Sequence, residues 1–108
     1  MTWIFRAVRR AALVCALFTA APAFAEDATV TIDNFVFKPE ILNVKVGTKV
    51  VFVNHDDIPH SLVADHKEFR SKALDTDDKF EFTFTTAGDV PFFCGLHPHM
   101  KGRIVVTP

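Results

Sequence analysis

After about residue 28, apolar and polar residues alternate with a period of two in one short run after another. In ATVTIDNFVF, Val30 and Ile32 alternate with Thr31 and Asp33. In KFEFTFTT, Phe80, Phe82 and Phe84 stand on one side, and Glu81 and Thr83 on the other. This period marks a strand with one buried face. Pro39 interrupts before ILNVKV, where Ile41, Val44 and Val46 are the inward candidates. Gly47 turns the chain into KVVFVN, and Ala87-Gly88-Asp89 turns it into VPFFC; GRIVV supplies a last strand. Only residues 65–79, DHKEFRSKALDTDDK, lack the alternation, and their charges suit a loop or one short helix. No long stretch has the helical period, which disfavours helical bundles and βαβ units. Many short strands at close spacing predict an all-β domain, a β-sandwich or barrel.

The first 25 residues read differently. Arg6, Arg9 and Arg10 precede an apolar run from Ala11 to about Ala21, and Ala23-Phe24-Ala25 has the small-x-small form of a signal-peptidase site. This predicts a secretory leader cut before Glu26, and hence a periplasmic protein. The run is too short for a membrane span, which needs about 20 apolar residues. Lipid modification at Cys15 fits poorly, because Val14 stands where such sites prefer a small residue. The expected organisation is therefore a leader over 1–25 and one domain over 26–108.

Such a domain, roughly 83 residues long, buries only about 60% of its unfolded surface, so its stability margin is thin. Small exported domains commonly add disulfides, but this one has no pair to form. Cys15 leaves with the leader and Cys94 remains alone. A lone thiol in an oxidising compartment is a liability unless something holds it. A bound metal would occupy the thiol and stabilise the folded state that binds it.

Charge excludes one class of partner. Three of the 12 Lys and Arg residues lie in the leader, whereas all 13 Asp and Glu lie after it. The domain is therefore acidic and has no basic patch, so nucleic acid is not an expected partner.

The chemistry concentrates in FFCGLHPHMKG, residues 92–102. Cys94, His97 and Met100 are equally spaced, and His60 follows Pro59 far upstream. Thiolate and thioether are soft ligands and imidazole is borderline; two imidazoles, one thiolate and a weak thioether make a blue-copper site. Calcium and magnesium want oxygen donors. Structural zinc recruits a further Cys or His in place of a thioether, and iron–sulfur clusters need several thiolates. Three donors within seven residues demand a sharp turn at Gly95 and Pro98. His55 competes with His60, but its neighbours Asp56 and Asp57 suggest an exposed turn. His66 lies in the charged segment.

These residues resemble the cupredoxins, and within them the amicyanin branch, which shares the Cys-x-x-His-x-x-Met loop with Pro after its His. FVFKPEILNVKVGTKVVFVN, NHDDIPHS and FTFTTAGDVPFFC extend the resemblance over essentially the whole mature chain. It implies a cupredoxin-like Greek-key sandwich with one type 1 copper ion. It makes Cys94 the thiolate ligand, His60 and His97 the imidazoles, and Met100 the long axial ligand. Asn54 becomes an outer residue tying the two ligand-bearing segments together, and the Ser61 amide a donor to the Cys94 sulfur.

The function implied is a soluble, monomeric one-electron carrier, with an amine dehydrogenase as donor and a c-type cytochrome as acceptor. Two positions depart from that branch. His99 replaces an apolar aromatic residue beside the second His, and Phe93 replaces an aromatic hydroxyl residue before the Cys. The spare histidines His55, His66 and His99 support an alternative, a copper chaperone or buffer. An enzyme is not expected, since protein ligands fill the site and leave no open position for substrate.

Overall fold

A computed structural model describes residues 26–108; the expected leader, with Cys15 and its cleavage site, lies outside the described residues. Eight strands follow in order: β1 (Ala28–Asp33), β2 (Val36–Lys38), β3 (Ile41–Lys45), β4 (Thr48–Asn54), β5 (Val63–Ala64), β6 (Lys79–Phe84), β7 (Gly88–Phe93) and β8 (Lys101–Thr107). They form two four-stranded sheets, β2-β1-β4-β6 and β3-β8-β7-β5. The β1–β4 and β3–β8 pairs are parallel and the others antiparallel. The all-β sandwich expected from the alternation is therefore present. No helix among the described residues is long and apolar enough to cross a membrane.

Both sheets send side chains into one core. Val30, Ile32, Val50 and Phe52 come from the first sheet, and Val90, Phe92, Ile104 and Val106 from the second. Phenylalanine dominates its centre. Phe52 meets Phe92 edge-on at 5.5 Å, and Phe69 packs against Phe52, Phe80, Phe82 and Phe92. Such pairs add about 0.5–1.5 kcal/mol each beyond area burial. They help a small domain with one cysteine to hold together.

One expectation needs correction, and one open alternative is decided. In ILNVKV the inward residues are Leu42 and Val44, while Ile41 and Val46 are 57% and 40% exposed. Leu42 and Val44 are two apart, as the pleat of a strand requires, whereas Ile41 and Val44 cannot share a face. The charged segment 65–79 contains no helix. It is a loop pinned by isolated bridges, Val63 to Arg70 and His60 to Leu74. Phe69 and Leu74 plug it into the core. Ser71 fastens it further: its amide donates to the Leu62 carbonyl, and its hydroxyl accepts from the Leu62 amide.

Gly102 on β8 faces Phe92 on β7. A Cβ at Gly102 would lie 2.4 Å from Cζ of that ring, which is fully buried and cannot swing aside. Gly102→Ala should therefore cost about 1–3 kcal/mol, the usual penalty for overpacking a tight core. A urea titration of the metal-free protein measures it, and an unchanged midpoint would contradict the packing described.

The β1–β2 hairpin closes through two residues, since Asp33 pairs with Val36. Asn34 and Phe35 take φ of 52° and 60°, the sign a type I′ turn requires at both positions. Asn tolerates this region, but a residue with a bulky side chain is disfavoured there by about 1–2 kcal/mol.

Candidate metal centre

Four segments meet at one end of the sandwich: the β1–β2 turn, the loop after β4, the 70–78 loop and the β7–β8 loop. His60 lies in the loop after β4. Its backbone is bound to Leu74 in both directions, at 3.1 and 2.7 Å, so a loop residue is held as firmly as a strand residue. Cys94 follows β7 directly, and Met100 directly precedes β8.

Between them the chain makes two successive turns. The His97 amide donates to the Cys94 carbonyl at 3.2 Å, and the Met100 amide to the His97 carbonyl at 2.9 Å. The Cys94 amide donates back to the Met100 carbonyl at 3.0 Å. The seven-residue loop is thus closed on itself by its own backbone, which turns Cys94, His97 and Met100 into a compact group.

Cys94 Sγ lies 3.6 Å from His60 Nδ1 and 3.7 Å from His97 Nδ1. Donor atoms of the three residues all fall within 4.8 Å of one another. A thiolate and an imidazole bound to one ion at about 2.3 and 2.0 Å, with a trigonal angle, stand about 3.7 Å apart. The donors therefore have the spacing and chemistry to hold a single soft or borderline metal ion. Cys94 and His60 are fully buried, Met100 is buried, and His97 is half-buried.

Ser61 ties the two sides of the site. Its amide donates to Cys94 Sγ at 3.4 Å, as expected, and its hydroxyl accepts from the Gly95 amide at 3.0 Å. A Cβ at Gly95 would lie 2.6 Å from that hydroxyl, so the close approach depends on glycine here. Asn54 plays a narrower part than expected. Its Nδ2 donates to the Ile58 and Leu74 carbonyls and its Oδ1 accepts from the Asp56 amide. Those bonds shape the His60 side alone; Ser61 makes the tie to the Cys94 side.

Asp56 is the site residue that sequence reasoning missed. Its carboxylate accepts from His60 Nε2 at 2.7 Å and from the amides of Asn34 and Phe35 at 2.6 and 3.0 Å. A carboxylate can only accept, so this bond calls for a proton on Nε2, and it turns Nδ1 towards Cys94. Outer partners of this kind orient metal-binding imidazoles. Burial pushes the Asp56 carboxyl up, but the bonds from Phe35, Asn34 and His60 outweigh it and hold it below the ordinary carboxylate value. The four-residue step from Asp56 to His60 was the one available signal, and it is weak outside a helix.

The other histidines add no donor to the cluster, although the His99 ring lies edge-on to His97 at 6.4 Å. His55 is exposed and lies 3.2 Å from Asp77. His66 and His99 are also exposed.

One buried cysteine sulfur and two imidazoles, closed at the end of a two-sheet sandwich, define a mononuclear metalloprotein of the type 1 copper class. A family model described as a cupredoxin-like domain matches residues 9–106. An amicyanin from Paracoccus versutus is 28% identical over 92 residues, covering 81% of this chain and 70% of its own length. The methylamine utilization protein MauL from Methylorubrum extorquens is 35% identical over 85 residues, 76% of this chain and 75% of its own. A mutant amicyanin solved in its reduced Cu(I) form superposes with a TM-score of 0.70 at 28% identity, covering 75% of this chain and 82% of that one. The chain belongs to the cupredoxin family, and its cofactor is one type 1 copper ion.

Proposed function

We propose that this protein is an exported, periplasmic carrier of single electrons between redox proteins, with His60, Cys94, His97 and Met100 as its copper ligands. The observation that carries the reading is the arrangement of Cys94 Sγ and two Nδ1 atoms at 3.6 and 3.7 Å on backbone-locked segments. Copper supplies the one-electron couple. The chain supplies ligand positions that need not move when the charge changes: Asp56 holds His60, Ser61 and Gly95 hold the two sides together, and the closed loop holds His97.

Half-buried His97 is the part of the site nearest solvent, so its edge is the natural contact for a partner. Exposed Phe35 and Leu96 supply apolar surface at that end, suited to the small, transient interfaces of redox pairs. Similarity to amicyanin and to MauL supports partners in methylamine oxidation, with an amine dehydrogenase as donor and a c-type cytochrome as acceptor. Four protein ligands leave no open position for a substrate, which supports a carrier rather than an enzyme. The Arg-led apolar run and Ala23-Phe24-Ala25 support a leader cleaved near Ala25 and hence the location, and the reading takes the carrier as a monomer.

The test is electrochemical. The processed, copper-loaded protein should give reversible voltammetry and fast electron self-exchange. Sluggish redox together with ready transfer of copper to an acceptor protein would overturn the carrier in favour of copper handling.

A further inference from the structure

The Asn34–Phe35 turn departs from its own local rule. A two-residue hairpin with positive φ at both positions favours Asn-Gly. The Asn is present, but the Gly position holds a phenylalanine at φ 60°, 44% exposed. A bulky residue in this region is an outlier, and its exposure shows that core burial is not the compensation. Strain kept in this way points towards function when the surroundings enforce it.

The surroundings do enforce it. The Asp56 carboxylate accepts from both turn amides, and the same carboxylate holds His60 Nε2. The Phe35 ring then meets both imidazoles edge-on, His60 at 5.5 Å and 89°, and His97 at 5.3 Å and 84°. The imidazoles are 5.1 Å from each other, so the three rings form a closed triangle. His60 is fixed by its backbone bridge and by Asp56. His97 is half-buried, and among the described residues no side-chain hydrogen bond reaches its Nε2. Exposed His99 meets the His97 ring edge-on at 6.4 Å, while the Phe35 ring, at 5.3 Å, touches His97 and His60 together.

We propose that Phe35 is a positioning residue that clamps the His97 ring against His60, at the expense of turn stability. The proposal rests on the carrier reading for its purpose: a ring that keeps one orientation in both oxidation states limits the rearrangement that accompanies each electron.

Phe35→Gly separates the two roles, because it creates the favoured Asn-Gly turn while removing the ring. The metal-free variant should melt at an equal or higher temperature than the parent. NMR relaxation of its His97 ring should nevertheless report a loss of order. In the copper-loaded variant, electron self-exchange should fall by about tenfold or more, the scale of loss from a misplaced group. Phe35→Leu keeps side-chain bulk at the turn and should show the same loss of His97 order. A lower melting temperature with unchanged His97 order in either variant would overturn the clamp and leave Phe35 as packing. Unchanged order and unchanged self-exchange would overturn it too. Should the parent show no rapid electron exchange, the carrier reading fails, while ring order in the metal-free protein still decides the clamp.

Discussion

Cys94→Ala should yield a protein that stays colourless on addition of Cu(II), whereas the parent turns intensely coloured. The colour of a type 1 site comes from charge transfer between thiolate and copper, and Cys94 is the one sulfur among the described residues that can become a thiolate. The substitution removes the donor placed 3.6 and 3.7 Å from the two imidazoles and leaves those imidazoles in place. Any residual binding would rest on His60, His97 and Met100 and would lack the visible band. The fold itself should survive, since the change deletes a single buried sulfur, and the lost Ser61 contact is a long one at 3.4 Å. Visible absorption during a Cu(II) titration, with circular dichroism as the control for folding, makes the measurement. A variant that kept the band would remove Cys94 from the site. So would a copper-loaded parent whose thiol still reacted with alkylating reagents.

The second large effect is expected at Asp56. Asp56→Ala deletes the acceptor of three hydrogen bonds: the His60 ring and the two amides of the strained turn. Bonds to a charged acceptor contribute about 1.5–3 kcal/mol each, with incomplete additivity and rehydration of the freed amides, so a loss of about 2–4 kcal/mol is expected in the metal-free protein. That is a large share of the roughly 5–15 kcal/mol that holds a domain folded.

The loss carries a pH signature. The folded-state carboxyl of Asp56 sits below its ordinary value of 3.8, so folding favours the ionised form. Its contribution is complete above the unfolded value and disappears as the pH falls through the depressed folded value. The parent should therefore lose stability on acidification across that window, and Asp56→Ala should lose correspondingly less. Urea midpoints at neutral pH and through the acid range test both points. Equal midpoints for parent and variant at pH 7 would show that the carboxylate holds neither the turn nor His60. Asp56→Asn retains one acceptor oxygen and should fall between the two without the acid step.

Much of this was legible in the chain. The period of two in ATVTIDNFVF and KFEFTFTT placed Val30, Ile32 and Phe84 correctly in the core, because one buried sheet face imposes that period. The spacing of Cys94, His97 and Met100 was legible because one loop carries all three, and local spacing survives folding unchanged. ILNVKV misled because apolar residues fall on both faces of β3, so the pattern does not identify the covered one. The 65–79 segment left loop and short helix both open because Phe69 and Leu74 are anchored at irregular spacing, which no period reveals.

Local order along the chain thus determined the strands, the sandwich class, the donor types and the compactness of the ligand loop, since each depends on residues a few positions apart. Tertiary structure alone decided which neighbours serve that loop. Asp56 against the Asn34–Phe35 turn, Ser61 against Gly95, and Phe35 against His60 and His97 are contacts between segments more than 20 residues apart. Their partners are chosen by how the two sheets pack and where their loops converge, a geometry that no short stretch of sequence encodes.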